Sequence, residues 1–149
     1  MPTDLTAFLL SFRDDLNAAA PPSQFRSYFT AGDSPVCLEH GPEHPDLPFL
    51  GKAFIGGSEI VRYYDLIGTV LKGKGSRFVE EDLFVKEVDE GRVDAVWTGD
   101  ATWSVARTGK EWHEAVVWRF GLEKEDGEWR IRRWEVWADT LSAYLATQP

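Results

Sequence analysis

A chain of 149 residues with 43% hydrophobic side chains is long enough to bury a core as a single domain over residues 1–149, and seven Trp, nine Phe and four Tyr exclude a disordered polymer. Sixteen Lys and Arg against 25 Asp and Glu leave a net charge of -9, which disfavours nucleic acid and anionic membrane as partners, since both are polyanions bound through basic patches. One cysteine, Cys37, forms no internal disulfide, and three scattered histidines lack zinc spacing, so no metal is expected.

Leu5, Phe8, Leu9, Phe12 and Leu16 recur at three- and four-residue steps and predict a first helix, with Thr3 available as its N-cap. The run Ala7-Phe8-Leu9-Leu10 is too short for a signal segment, and a cytoplasmic location is expected. Pro21-Pro22 ends this segment, and Ser23 opens a short second helix carrying Phe25, Tyr28 and Phe29. Val36 to Glu39 reads as a short strand, and residues 41–57, rich in Gly and Pro, as an irregular loop that leaves His40 and His44 exposed. Ser58 is the expected cap of a third helix with an apolar stripe from Ile60 to Leu71, ending at Gly73.

Beyond Gly75 the pattern changes. Arg77 to Val88, Arg92 to Arg107, Glu111 to Lys124 and Trp129 to Trp137 are rich in Val, Trp and Phe and are separated by turn sequences, which predicts a four-stranded meander. Asp139 or Thr140 then caps a closing helix whose Leu141, Tyr144 and Leu145 pack back. Helices first and long hairpins second describe an α+β domain: a curved antiparallel sheet, opened into a cone by a bulge at Gly99, packed on three N-terminal helices with a short C-terminal helix. Such a cone leaves a hollow between sheet and helices.

The order of elements, the segment Gly56-Gly57-Ser58-Glu59-Ile60 and the run from Asp126 to Asp139 resemble the nuclear transport factor 2-like superfamily, especially its SnoaL-like branch. The resemblance covers nearly the whole chain and implies the cystatin-like α+β barrel, dimerisation through the convex sheet face, here carrying Trp97 and Val93, and a pocket walled by Trp134. Arg92-Val93-Asp94 is similar to an Arg-x-Asp element of the limonene epoxide hydrolase family, although Val136 stands where that family has a second Asp. That comparison turns Arg92, Asp94, Val96 and Thr98 toward the hollow and Trp97 away from it.

Strand alternation puts Trp112, Glu114, Val116 and Trp118 on one face and His113, Val117 and Arg119 on the other. With the first set inward, Glu114 is a carboxyl among aromatics and converges with Arg92 and Asp94 as an acid/base group. In the opposite register His113 takes that role. The blander alternatives are a solvated Arg92–Asp94 pair at a strand edge and Glu114 as a surface cross-strand partner. Tyr63, Tyr64, Trp112, Trp118, Trp134 and Val136 are the candidate substrate-binding residues, Tyr63 and Tyr64 dividing into one core and one rim ring. Asp139 is expected to be a cap and Cys37 a buried small hydrophobe. Three functions fit: a cofactor-independent hydrolase, dehydratase or isomerase for a small apolar or aromatic molecule; a noncatalytic domain binding such a molecule; or an interaction module using the convex face.

Overall fold

The computed structural model describes residues 3–149. Helix α1 (Thr3–Asn17) is already under way at Thr3, whose side chain, expected as the cap, lies outside the described residues. Leu5, Leu9 and Phe12 form its buried stripe, and the Phe12 ring meets Phe25, Tyr28, Trp118, Phe120 and Trp134 edge-on at centroid distances of 5.3–6.0 Å. Truncating such a ring to Ala costs roughly 3–5 kcal/mol. A short helix α2 (Pro22–Phe25) continues as a 3-10 turn through Tyr28.

Strand β1 (Val36–His40) follows, and β2 (Ala53–Ile55) pairs with it inside the stretch expected to be irregular. The third helix, α3 (Gly57–Val70), is capped by Gly56 rather than by Ser58, which lies in its first turn. The chain is extended from Leu71, so the helix ends short of Gly73 and β3 (Leu71–Arg77) occupies a segment that had no strand signal. Val-poor, glycine-rich and basic, Leu71-Lys72-Gly73-Lys74-Gly75-Ser76-Arg77 is held extended by pairing to its neighbour rather than by propensity.

The predicted first strand of the meander, Arg77 to Val88, corresponds to β4 (Leu83–Asp89), and both β3 and β4 run antiparallel to β5 (Arg92–Val105). Strands β6 (Glu111–Glu125) and β7 (Glu128–Trp137) complete a seven-stranded, curved and unclosed sheet in the order β2-β1-β7-β6-β5-β3, with β4 also on β5. The sheet is mixed, not wholly antiparallel, because β1 runs parallel to β7.

Gly99 makes no bulge in the β5–β6 ladder, where it pairs regularly with Val116. It sits where β5 exchanges β4 for β3, and an added Cβ would come within 2.4 Å of the Arg77 carbonyl and 2.6 Å of the Phe78 ring. Register shifts lie instead at Gly73–Ser76 of β3, at Glu87–Asp89 of β4 and between β6 and β7. In the β6–β7 ladder Arg132 is an extra residue, so Trp129 and Ile131 before it and Trp134 and Val136 after it are all buried despite opposite parity.

Helix α4 (Thr140–Thr147) closes the chain, with the Asp139 carboxylate accepting from the Ser142 amide. Its buried side is small, Ala143 and Ala146, while Leu141, Tyr144 and Leu145 are exposed rather than packed back. No helix among the described residues is long and apolar enough to cross a membrane.

Candidate functional site

A cavity of about 480 Å³ lies between the sheet and the helices. That volume lies within the roughly 300–1,000 Å³ range of sites for small organic ligands. Strand β6 contributes Glu114, Val116 and Trp118 to its wall, β7 Trp134 and Val136, β1 Glu39, and α3 Tyr63 and Tyr64. Stacked pairs stiffen this wall: Phe78 on Trp118 at 3.6 Å, Phe25 on Tyr64 at 4.2 Å and Tyr64 on Trp134 at 5.6 Å between centroids.

Two carboxyl groups open onto this apolar space. The Trp112 indole N–H donates to Glu114 Oε1 at 2.7 Å, and the Tyr63 hydroxyl donates to Glu39 Oε1 at 3.1 Å. Burial pushes Glu39 up to about 8; the Tyr63 bond opposes the rise and the charge of Glu114 adds to it. Burial likewise raises Glu114, against the pull of the Trp112 hydrogen bond. Glu39 is therefore protonated near neutrality, a proton held in the cavity within reach of a bound molecule, and burial favours the protonated form of Glu114 as well. Burial first, then the neighbouring Glu39, holds the Tyr63 phenol well above its ordinary value, so it remains a donor.

No protein-family model matches the sequence, and neither does any curated protein. Solved structures do match. A ketosteroid isomerase-like protein from Erwinia carotovora atroseptica superposes with a TM-score of 0.71 at 18% identity over 91% of this chain and 94% of that one. Aln2 from a Streptomyces species gives 0.67 at 18% over 96% and 94%, and ActVI-ORFA from Streptomyces coelicolor 0.66 at 14% over 93% and 96%. The chain has the nuclear transport factor 2-like fold.

Within the nuclear transport factor 2-like sheet, seven of the expected site residues reach the cavity: Glu114, Tyr63, Tyr64, Trp112, Trp118, Trp134 and Val136. Tyr63 and Tyr64 are both buried, so neither is a rim ring. Arg92, Asp94 and His113 do not converge with Glu114. Residues directly opposed across a ladder share a face, and Trp97 pairs with Trp118 and Ala101 with Glu114, so the odd positions of β5 point inward. Arg92 is exposed and 3.4 Å from Glu123, Asp94 is 3.7 Å from Arg119, and exposed His113 meets Thr102 and Asp100.

The same parity corrects the convex face. Trp97 is fully buried with its indole N–H on the Val79 carbonyl, and Val93 is buried as well, so neither belongs to an outer interface. The outer face instead carries Glu135, bonded by Arg133 at 3.1 Å and His40 at 3.0 Å. Burial acts to raise this carboxyl, but the Arg133 and His40 bonds outweigh it and hold it below its ordinary value. His40 is half-buried and stacked on Trp137 at 4.2 Å, not free in a loop.

Glu39 is the residue that sequence reasoning passed over. Its signal was present: Cys37 reads as buried, and a strand residue two positions on shares that face. Pairing places Cys37 opposite Trp134 and Glu39 opposite Val136, both inward-facing.

Proposed function

We propose that this chain binds a small, largely apolar or aromatic molecule in the cavity and moves protons on it with its own carboxyl groups, as an isomerase or a dehydratase does. The observation that carries this reading is the pair Glu39 and Glu114, set in one aromatic cavity, Glu39 held by Tyr63 and Glu114 by Trp112. Glu39 acts as the acid and Glu114 as the base, while Tyr63 and Trp112 position them. Arg92, Asp94 and His113 take no part. The ketosteroid isomerase-like relative supports the reading by its name alone, since at 18% identity the likeness is one of fold.

The test is incubation with a panel of uncharged two- and three-ring alkenes, alcohols and ketones in heavy water, with binding followed by tryptophan fluorescence and exchange by mass spectrometry. Binding with deuterium uptake or loss of water, abolished in Glu39→Gln and Glu114→Gln while binding persists, is expected. Binding without any exchange makes this a noncatalytic binding domain, and no binding at all removes the cavity as the site. Self-association through the outer sheet face is part of the reading, with partly exposed Val96 and Trp137 in place of Trp97 and Val93. Sedimentation of Trp137→Lys, expected to be monomeric beside a dimeric wild type, checks it.

A further inference from the structure

We infer that the reaction at this site runs through a positively charged carbon centre, so that the substrate is an uncharged electron-rich alkene or an allylic or benzylic alcohol rather than a carbonyl compound reacting as its enolate. This rests on the acid/base reading above and narrows it to a substrate class.

Charge composition of the wall comes first. The residues around the cavity include the two acids within it, Glu39 and Glu114, exposed Asp65 and the helix-capping Asp139, and no Lys, Arg or His. None of the four forms an ion pair among the described residues. An enolate formed here adds negative charge to a site that has only negative charge, in a medium where water screens little. A cation formed here is attracted by the Glu114 carboxylate and by the indole π systems of Trp103, Trp112, Trp118 and Trp134, which line the same space.

The donor inventory is uncharged as well. The Tyr63 hydroxyl is engaged by Glu39 and the Trp112 indole by Glu114, and the Tyr64 hydroxyl and Trp134 indole nitrogen are buried within the ring stack. The donors left on the wall, protonated Glu39, the Trp118 indole and the Thr140 hydroxyl among them, carry no positive charge, so an enolate finds no cationic group to balance it.

The steps balance without a co-reactant. In a dehydration the Glu39 proton goes to the departing hydroxyl, the C–O bond breaks with its electron pair, and water leaves a cationic carbon beside Glu114. Glu114 then takes a proton from the adjacent carbon, and that C–H electron pair becomes the new C=C bond. In an alkene shift the π pair of the substrate takes the Glu39 proton, and Glu114 removes a proton from the carbon on the other side. Either way Glu39 ends ionised and Glu114 protonated, and exchange with water restores both.

Three probes of one skeleton separate the alternatives by isothermal titration calorimetry at neutral pH: naphthylmethylamine as the cation, naphthalenemethanol as the neutral form and ionised nitronaphtholate as the oxyanion. The amine is expected to bind at least about tenfold tighter than the alcohol, and the naphtholate more weakly than the alcohol. In Glu114→Gln the alcohol keeps its affinity while the amine loses most of its advantage. A naphtholate that binds tightest, an amine no tighter than the alcohol, or an amine preference that survives Glu114→Gln overturns the inference while leaving the cavity a binding site. If none of the three binds, the reading beneath it falls too.

Discussion

Replacing Glu39 with Gln isolates the free energy of burying this carboxyl, because the amide still accepts from Tyr63 but does not titrate. In the folded chain Glu39 holds its proton up to about 8, against an ordinary value of 4.5. Below 4.5 both folded and unfolded states are protonated and the stability is fully present. As pH rises toward 8 the unfolded chain loses the proton and the folded chain does not, so stability falls, and above about 8 the loss is complete. At about 1.4 kcal/mol per pH unit the interval amounts to about 5 kcal/mol. Contact of Glu39 with solvent in the cavity makes that a ceiling; about 2 kcal/mol is already decisive. The assay is urea unfolding of wild type and Glu39→Gln at pH 5, 6.5 and 8, followed by tryptophan fluorescence. The two proteins should be similar at pH 5 and diverge in favour of the variant at pH 8. Parallel stability curves across that range refute the assignment of half-buried Glu39 as a neutral acid.

Trp112→Phe removes the principal hydrogen bond to the mostly buried Glu114, so unfolding should show a loss of about 1–3 kcal/mol and the Glu114 carboxyl, followed by carbon-13 NMR, should titrate at higher pH than in wild type. Gly99→Ala drives a methyl group against the Arg77 carbonyl and Phe78, and a loss of about 2 kcal/mol or more by chemical denaturation is expected; a change under about 0.5 kcal/mol contradicts the close approach. Arg92→Ala and Asp94→Asn, both on the outer face, should each leave ligand binding and proton exchange unchanged and shift stability by less than about 0.5 kcal/mol.

Elements with strong local signals were legible. The spacing of Leu5, Leu9 and Phe12 on α1, the stripe of α3 and the turn sequences between β5, β6 and β7 were readable because each pattern is complete within one element or one hairpin. Strands β2 and β3 were not legible. Three residues are too few to display alternation, and the Gly- and Lys-rich β3 is strand only because the edge of β5 is there to receive it. The parallel pairing of β1 with β7 joins segments about a hundred residues apart, and nothing local records it.

The face of β5 was decidable from the sequence, and the resemblance displaced the better signal. Val93, Ala95, Trp97, Ala101 and Trp103 are its odd positions, while Arg92, Asp94, Thr98, Asp100 and Thr102 fall on the even ones. Burying the even set places two unpaired acids and a guanidinium in an apolar cavity, at several kcal/mol for each ion, and exposes two tryptophans. Burying the odd set sets Trp97 against Trp118 at 6.0 Å and leaves Arg92 and Asp94 with partners at the surface. Trp118 was already assigned inward on β6, and in a two-arm ladder one arm's face fixes the other's once a single pair is known. Two matching residues of a distant family therefore carry less information than the alternation of a strand that contains them. The same rule applied to β1 leads from Cys37 to Glu39 and so to the second acid of the cavity.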